Sequence, residues 1–107
     1  MTIAITTPTG NIGRKLVTLL LDDGAHELVL LARHPEKLAE EQRRGARVVA
    51  CDLAEAAQVV RATEGVDSLF WVNPPDMRAE DYTAHYTRLA RNATEAIKAN
   101  NIHNVVL

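Results

Sequence analysis

The chain has 107 residues, a formal net charge of −2 from 12 basic and 14 acidic side chains, and a single cysteine, Cys51. That length is one domain with room for a core, and the near-balanced charge gives no electrostatic ground for binding nucleic acid or an anionic membrane surface. One cysteine excludes an intrachain disulfide, no run approaches the roughly 18 apolar residues of a membrane span, and Met1 leads straight into an apolar segment, so the expectation is a soluble, cytoplasmic protein.

A first strand is read over residues 2–6, followed at once by the turn TPTGNIG and a helix over 11–22. Gly10 and Gly13 stand three apart, with Thr7 where a third glycine would complete GxxGxxG. A strand running through such a turn into a helix is the anatomy of a pyrophosphate site: the glycines admit a close backbone approach and the first helical N–H groups face the anion. An ordinary tight turn is the bland alternative. Ile12, Leu16, Leu19 and Leu20 are expected to form the buried stripe of this helix, and Gly24 to stop it.

Residues 28–32, LVLLA, form an uninterrupted apolar run suited to a central strand covered on both faces. Pro35 opens a helix that Gly45 ends, and its Arg43, Arg44 and Arg47 are offset by Glu36, Glu40 and Glu41, which reads as a solvated face. A third strand spans 47–51, and Asp52 with Glu55 predicts a capping box for a helix reaching about residue 63. SLFWV, 68–72, is a fourth strand; the longest helix spans 81–100, with Tyr82, Tyr86, Leu89, Ala93 and Ile97 on one face; a fifth strand covers 104–107. Alternation of short strands with helices predicts an α/β fold: a doubly wound, Rossmann-type parallel sheet of five strands with helices on both faces, one domain over residues 1–107.

The acid that usually grips the adenosine ribose stands about 20 residues past the glycines, at the end of the second strand. Here that place holds Leu31, Ala32 and Arg33. A guanidinium there offers charge-assisted donors to a 2′-phosphate, so NADP, with NADPH preferred over NADH, is the expected cofactor; His34 adds a further donor. A solvent-facing arginine at a strand end is the alternative. Asp52 and Leu53 stand where an adenine ring would pass, although Asp52 is also a plausible cap. Asn73, Pro74 and Pro75 follow the fourth strand, as a wall beside the nicotinamide ribose or simply a rigid connection. Tyr82 and Tyr86 read as packing residues without a lysine four positions on, Asp81 and His85 as an exposed pair rather than metal ligands, and Ser68 lacks the glycine elbow of a hydrolase.

Together TPTGNIG, ARHPEKL (32–38), VVACDL (48–53) and FWVNPP (70–75) resemble the NmrA-like branch of the atypical short-chain dehydrogenase/reductases, with its quinone and azo-dye reductase-like proteins. The resemblance covers essentially the whole chain. It implies a pyrophosphate site at Gly10, Asn11, Ile12 and Gly13, flanked by Thr7 and Thr9, with Arg33 on the 2′-phosphate, Asp52 and Leu53 on the adenine, and Asn73 with Pro74 on the nicotinamide side. It also implies further strands and a substrate region, so the chain reads as an amino-terminal portion of a longer reductase acting on a small-molecule acceptor. Two other readings stand beside it: a redox-sensing regulator that binds the dinucleotide without turnover, and a nucleotide-binding module that pairs its terminal VVL edge in a homodimer. Thr7 and Pro8 depart from the small residues common in the family's turn, so the first bend is expected to form without glycine's freedom.

Overall fold

The computed structural model describes residues 1–72 and 82–106, apart from the Tyr82 side chain. Five strands form one parallel sheet in the order β3-β2-β1-β4-β5. They are β1 (Thr2–Thr6), β2 (Glu27–Ala32), β3 (Arg47–Ala50), β4 (Ser68–Phe70) and β5 (Asn104–Val106). The helices between them are α1 (Asn11–Asp23), α2 (Ala39–Arg43), α3 (Ala56–Ala62) and α4 (Tyr82–Asn100). The chain winds outward from β1 to β3, then crosses to the other side of β1 for β4 and β5. That reversal opens a crevice beyond the carboxyl ends of β1 and β4.

The apolar runs explain why both faces are covered. In β2, Leu28 and Leu30 pack on one face with Ile5, Val17, Leu38 and Ala46, under α1 and the segment that carries Leu38. Val29 and Leu31 point to the other face, joining Ala4, Val59, Leu69, Leu89, Ala93 and Ala96 under α3 and α4. A strand alternates its side chains at every residue, so an unbroken apolar run is the pattern a doubly covered strand requires. At the β5 edge, Val105 and Val106 remain 37% and 55% exposed.

Three local expectations are corrected. The buried face of α1 is Gly13 and Val17, with Leu16 and Leu20 half-buried, while Ile12 and Leu19 are 62% and 68% exposed. Gly13 sets this phase: it lies against the Thr7–Pro8 turn, and residues one helical turn on follow it inward, which rotates Ile12 and Leu19 outward. The helix predicted from Pro35 is split into a 3₁₀ turn, Pro35–Leu38, and the short α2. The capping box at Asp52 is absent, because α3 begins at Ala56 behind Glu55 and has no side-chain cap. Gly24 ends α1 as expected, in a left-handed conformation (φ 71°) with its N–H on the Leu20 carbonyl at 3.1 Å.

Candidate nucleotide-binding site

Thr7 is the pivot between β1 and α1. Its φ of 47° is left-handed, a region costly for a β-branched residue, so the bend expected to form without glycine's freedom is made here at the cost of strain. Two bonds hold it there. Its carbonyl accepts the Gly10 N–H at 3.1 Å, and its hydroxyl donates to the Val72 carbonyl at 3.0 Å. Beside it, the Thr6 hydroxyl donates to the same Val72 carbonyl at 3.0 Å and accepts the Val72 N–H at 2.7 Å, extending the link between β1 and the exit of β4 beyond the last ladder pair.

The turn directs donors, not acceptors, into the crevice. The Gly10 carbonyl takes the Arg14 N–H at 2.9 Å, and the Thr9 carbonyl takes the Arg14 guanidinium at 3.4 Å. With the Gly10 amide bound to Thr7, the amides of Asn11, Ile12 and Gly13 have no partner among the described residues. They are the orphan donors of a helix start, at the positive end of its dipole. A Cβ at Gly13 would strike the Thr7 carbonyl oxygen and sit 3.1 Å from the Pro8 Cα, so the close packing of helix on turn demands glycine.

These amides open onto a cleft of about 940 Å³. Thr7, Thr9, Gly10, Asn11, Ile12, Gly13, Arg33, Asp52 and Leu53, all singled out from the sequence, line it together. Asn73 and Pro74 lie outside the described residues. Arg33 follows directly on β2 and is exposed, with no carboxylate paired to it among the described residues. Lys37, from the 3₁₀ turn, joins it on the wall; its place was not apparent because helical periodicity breaks in that segment.

The loop after β3 forms the opposite side. Asp52 accepts the Ala54 N–H on Oδ1 at 2.9 Å, while its own N–H donates to Gln58 Oε1 at 2.8 Å, and its second carboxylate oxygen takes no partner among the described residues. Leu53 is buried, and its carbonyl accepts Asn92 Nδ2 from α4 at 2.8 Å. Cys51 also lines the cleft, but burial and the neighbouring Asp52 charge raise its thiol from 9.0 to about 11, which keeps it protonated and unreactive near neutrality. His85 and Leu89, one turn apart on α4, complete the lining, and His85 Nε2 is buried without a partner among the described residues. The described residues contain no group of side chains arranged to hold a metal ion and no helix long and apolar enough to cross a membrane.

A nucleotide fits this donor set: unpartnered amides for a diphosphate, cations at the β2 exit, a free carboxylate oxygen and an apolar edge for a base. Comparison with known proteins agrees. The family model described as NAD(P)H-binding matches residues 8–107. No curated protein matches the sequence. Among solved structures, the chain is similar to the NADPH-dependent quinone oxidoreductase of Escherichia coli complexed with NADPH, at 26% identity and a TM-score of 0.78 over 96% of this chain and 35% of that one. It is similar to the triphenylmethane reductase of a Citrobacter species complexed with NADP(H), at 23% identity and a TM-score of 0.81 over 98% and 36%. A nucleoside-diphosphate-sugar epimerase of Staphylococcus aureus superposes with a TM-score of 0.83 at 19% identity, over 98% and 36%. The chain thus spans 35–36% of the length of these three proteins.

Proposed function

The chain belongs to the NAD(P)H-binding family, and from that premise we propose that it is the NADP(H)-binding part of an NAD(P)H-dependent oxidoreductase of the NmrA-like, atypical short-chain dehydrogenase/reductase type. One observation carries this reading: the Asn11, Ile12 and Gly13 amides stand at the cleft mouth without a partner among the described residues, over a glycine with no room for a Cβ. Those amides hold the diphosphate, with Thr7 and Thr9 shaping the turn around it. Arg33, with Lys37 beside it, neutralises the 2′-phosphate. The free oxygen of Asp52 accepts from the adenine amine while Leu53 covers the ring. Asn73 and Pro74 serve the nicotinamide side. When bound, the nicotinamide supplies the hydride chemistry; the protein orients it and excludes water. By the resemblance, a quinone, azo compound or other small carbonyl-type molecule is the acceptor, in a protein that works in the cytoplasm.

Calorimetric titration with NADPH and NADH tests the assignment. NADPH binds more tightly by about tenfold or more, the scale of a charge-assisted contact, and Arg33→Ala brings the two affinities together. Equal affinities in the unaltered chain overturn the NADP assignment. Absence of binding to either overturns the dinucleotide reading. NADPH oxidation by a quinone in a chain carrying a substrate region supports the reductase; tight binding without turnover moves the reading to a redox-sensing regulator.

A further inference from the structure

Asn92 belongs to α4, seven residues after His85, and is 6% exposed, in a stretch where Leu89, Ala93 and Ala96 are all buried and apolar. A buried amide is tolerated when its polar atoms are bonded, and this one donates Nδ2 to the Leu53 carbonyl at 2.8 Å, across 39 residues of sequence. Leu53 lies in the loop that forms the Asp52 side of the cleft, three residues past the end of β3 at Ala50 and ahead of α3. This loop has little regular structure of its own to hold it. Its other hydrogen bonds among the described residues include the Cys51 N–H to the Ala32 carbonyl, which ties its β3 end to β2, and three local ones, Ala54 N–H to Asp52 Oδ1, Glu55 N–H to the Asp52 carbonyl and Asp52 N–H to Gln58 Oε1. Among the described residues, Asn92 therefore supplies the hydrogen bond that fixes the middle of the loop, at Leu53, to α4.

We propose that Asn92 is a positioning residue for base recognition: from α4 it holds the Leu53 carbonyl, and so sets where the Leu53 side chain and the free oxygen of Asp52 meet the adenine of a bound dinucleotide. The inference rests on the dinucleotide reading above. A second α4 amide supplies the contrast. Asn100 Nδ2 donates at 2.8 Å both to the Val60 carbonyl and to Thr63 Oγ1, so it also ties α4 to the α3 region, but at residues that do not line the cleft. Loss of either amide loosens the packing of the two helices; only loss of Asn92 frees the adenine edge.

The test uses the 107-residue chain with 2′,5′-ADP, which carries the adenine and the 2′-phosphate without the nicotinamide. Asn92→Ala weakens 2′,5′-ADP about tenfold, whereas Asn100→Ala lowers the melting temperature comparably and leaves that affinity unchanged. Asn92→Asp sets a carboxylate against the Leu53 carbonyl; its affinity, taken relative to the unaltered chain at each pH, recovers as the pH falls and the protonated carboxyl regains a donor. Should Asn92→Ala not fold, this pH profile decides the matter. If both variants at position 92 bind 2′,5′-ADP like the unaltered chain, or Asn100→Ala weakens it equally, the Asn92 assignment is overturned. If the unaltered chain binds neither NADPH nor 2′,5′-ADP, the dinucleotide reading falls, and this inference with it.

Discussion

In the turn between β1 and α1, the backbone forms the wall of the cleft: three amides without a partner among the described residues, a left-handed Thr7, and a glycine packed so closely that a methyl group has no place. In the loop between β3 and α3, by contrast, side chains hold the backbone. Gln58 and Asn92 reach in from two helices and Asp52 folds back on Ala54. A surface made of main chain tolerates little, because moving one atom moves the fold. A surface held by side chains can be tuned one bond at a time, and its failures should be local.

The strongest way to break this contrast is Gly13→Ala. Forcing a Cβ against the Thr7 carbonyl should cost about 1–3 kcal/mol of stability in urea unfolding and abolish NADPH binding together. Loss of affinity at full stability would mean that the turn is no stiffer than the loop opposite. Thr7 sharpens the comparison. Thr7→Ala keeps the φ of 47° but loses the bond to Val72, for about 1 kcal/mol, whereas Thr7→Gly loses the same bond and relieves the strain, so its unfolding midpoint should stay near that of the unaltered chain.

In the side-chain-held loop, Gln58→Ala should cost only about 0.5 kcal/mol, the low end for one hydrogen bond, and reduce 2′,5′-ADP affinity without altering the affinity for inorganic pyrophosphate. An effect that vanishes near neutral pH concerns Cys51. Its thiol is held at about 11 when folded against 9.0 as its ordinary value, so the unfolded chain loses the proton first. Its contribution is intact below pH 9 and fades as the pH rises from 9 towards 11, which a series of denaturation midpoints would register. A Cys51→Ser chain should lack that part of the alkaline decline.

The same contrast explains what was legible in the sequence. The succession of strands and helices, the covering of both faces and the glycine turn follow from local signals: apolar runs in residues 28–32, helical spacing in 82–100, and Gly10 and Gly13 directly behind a strand. The backbone-made half of the cleft was therefore readable residue by residue. Asp52 was placed on the cleft, yet its capping role was misread, because its N–H is met by Gln58 six residues on and no short motif has that spacing. Asn92 left no signal at all; its partner is 39 residues away, and by pattern alone it is a polar interruption in an apolar face. The stripe on α1 was misphased for a related reason. Counting Ile12 and Leu19 as buried weighs hydrophobicity alone, whereas the contact of Gly13 with the Thr7–Pro8 turn decides the rotation of the helix.

The Thr6 hydroxyl joins residues 66 positions apart, and it closes on Val72 only when the chain has returned beside β1 to place the exit of β4. Loop closure over that distance carries an entropic cost that no contact within the β1–α1 segment offsets. The crevice is consequently a property of the finished sheet and absent from any partly formed one. Occupancy then draws on the whole folding equilibrium: a dinucleotide that recognises the finished sheet alone raises its melting temperature in proportion to the logarithm of ligand concentration above the dissociation constant, making the nucleotide itself a late-acting chaperone of the chain.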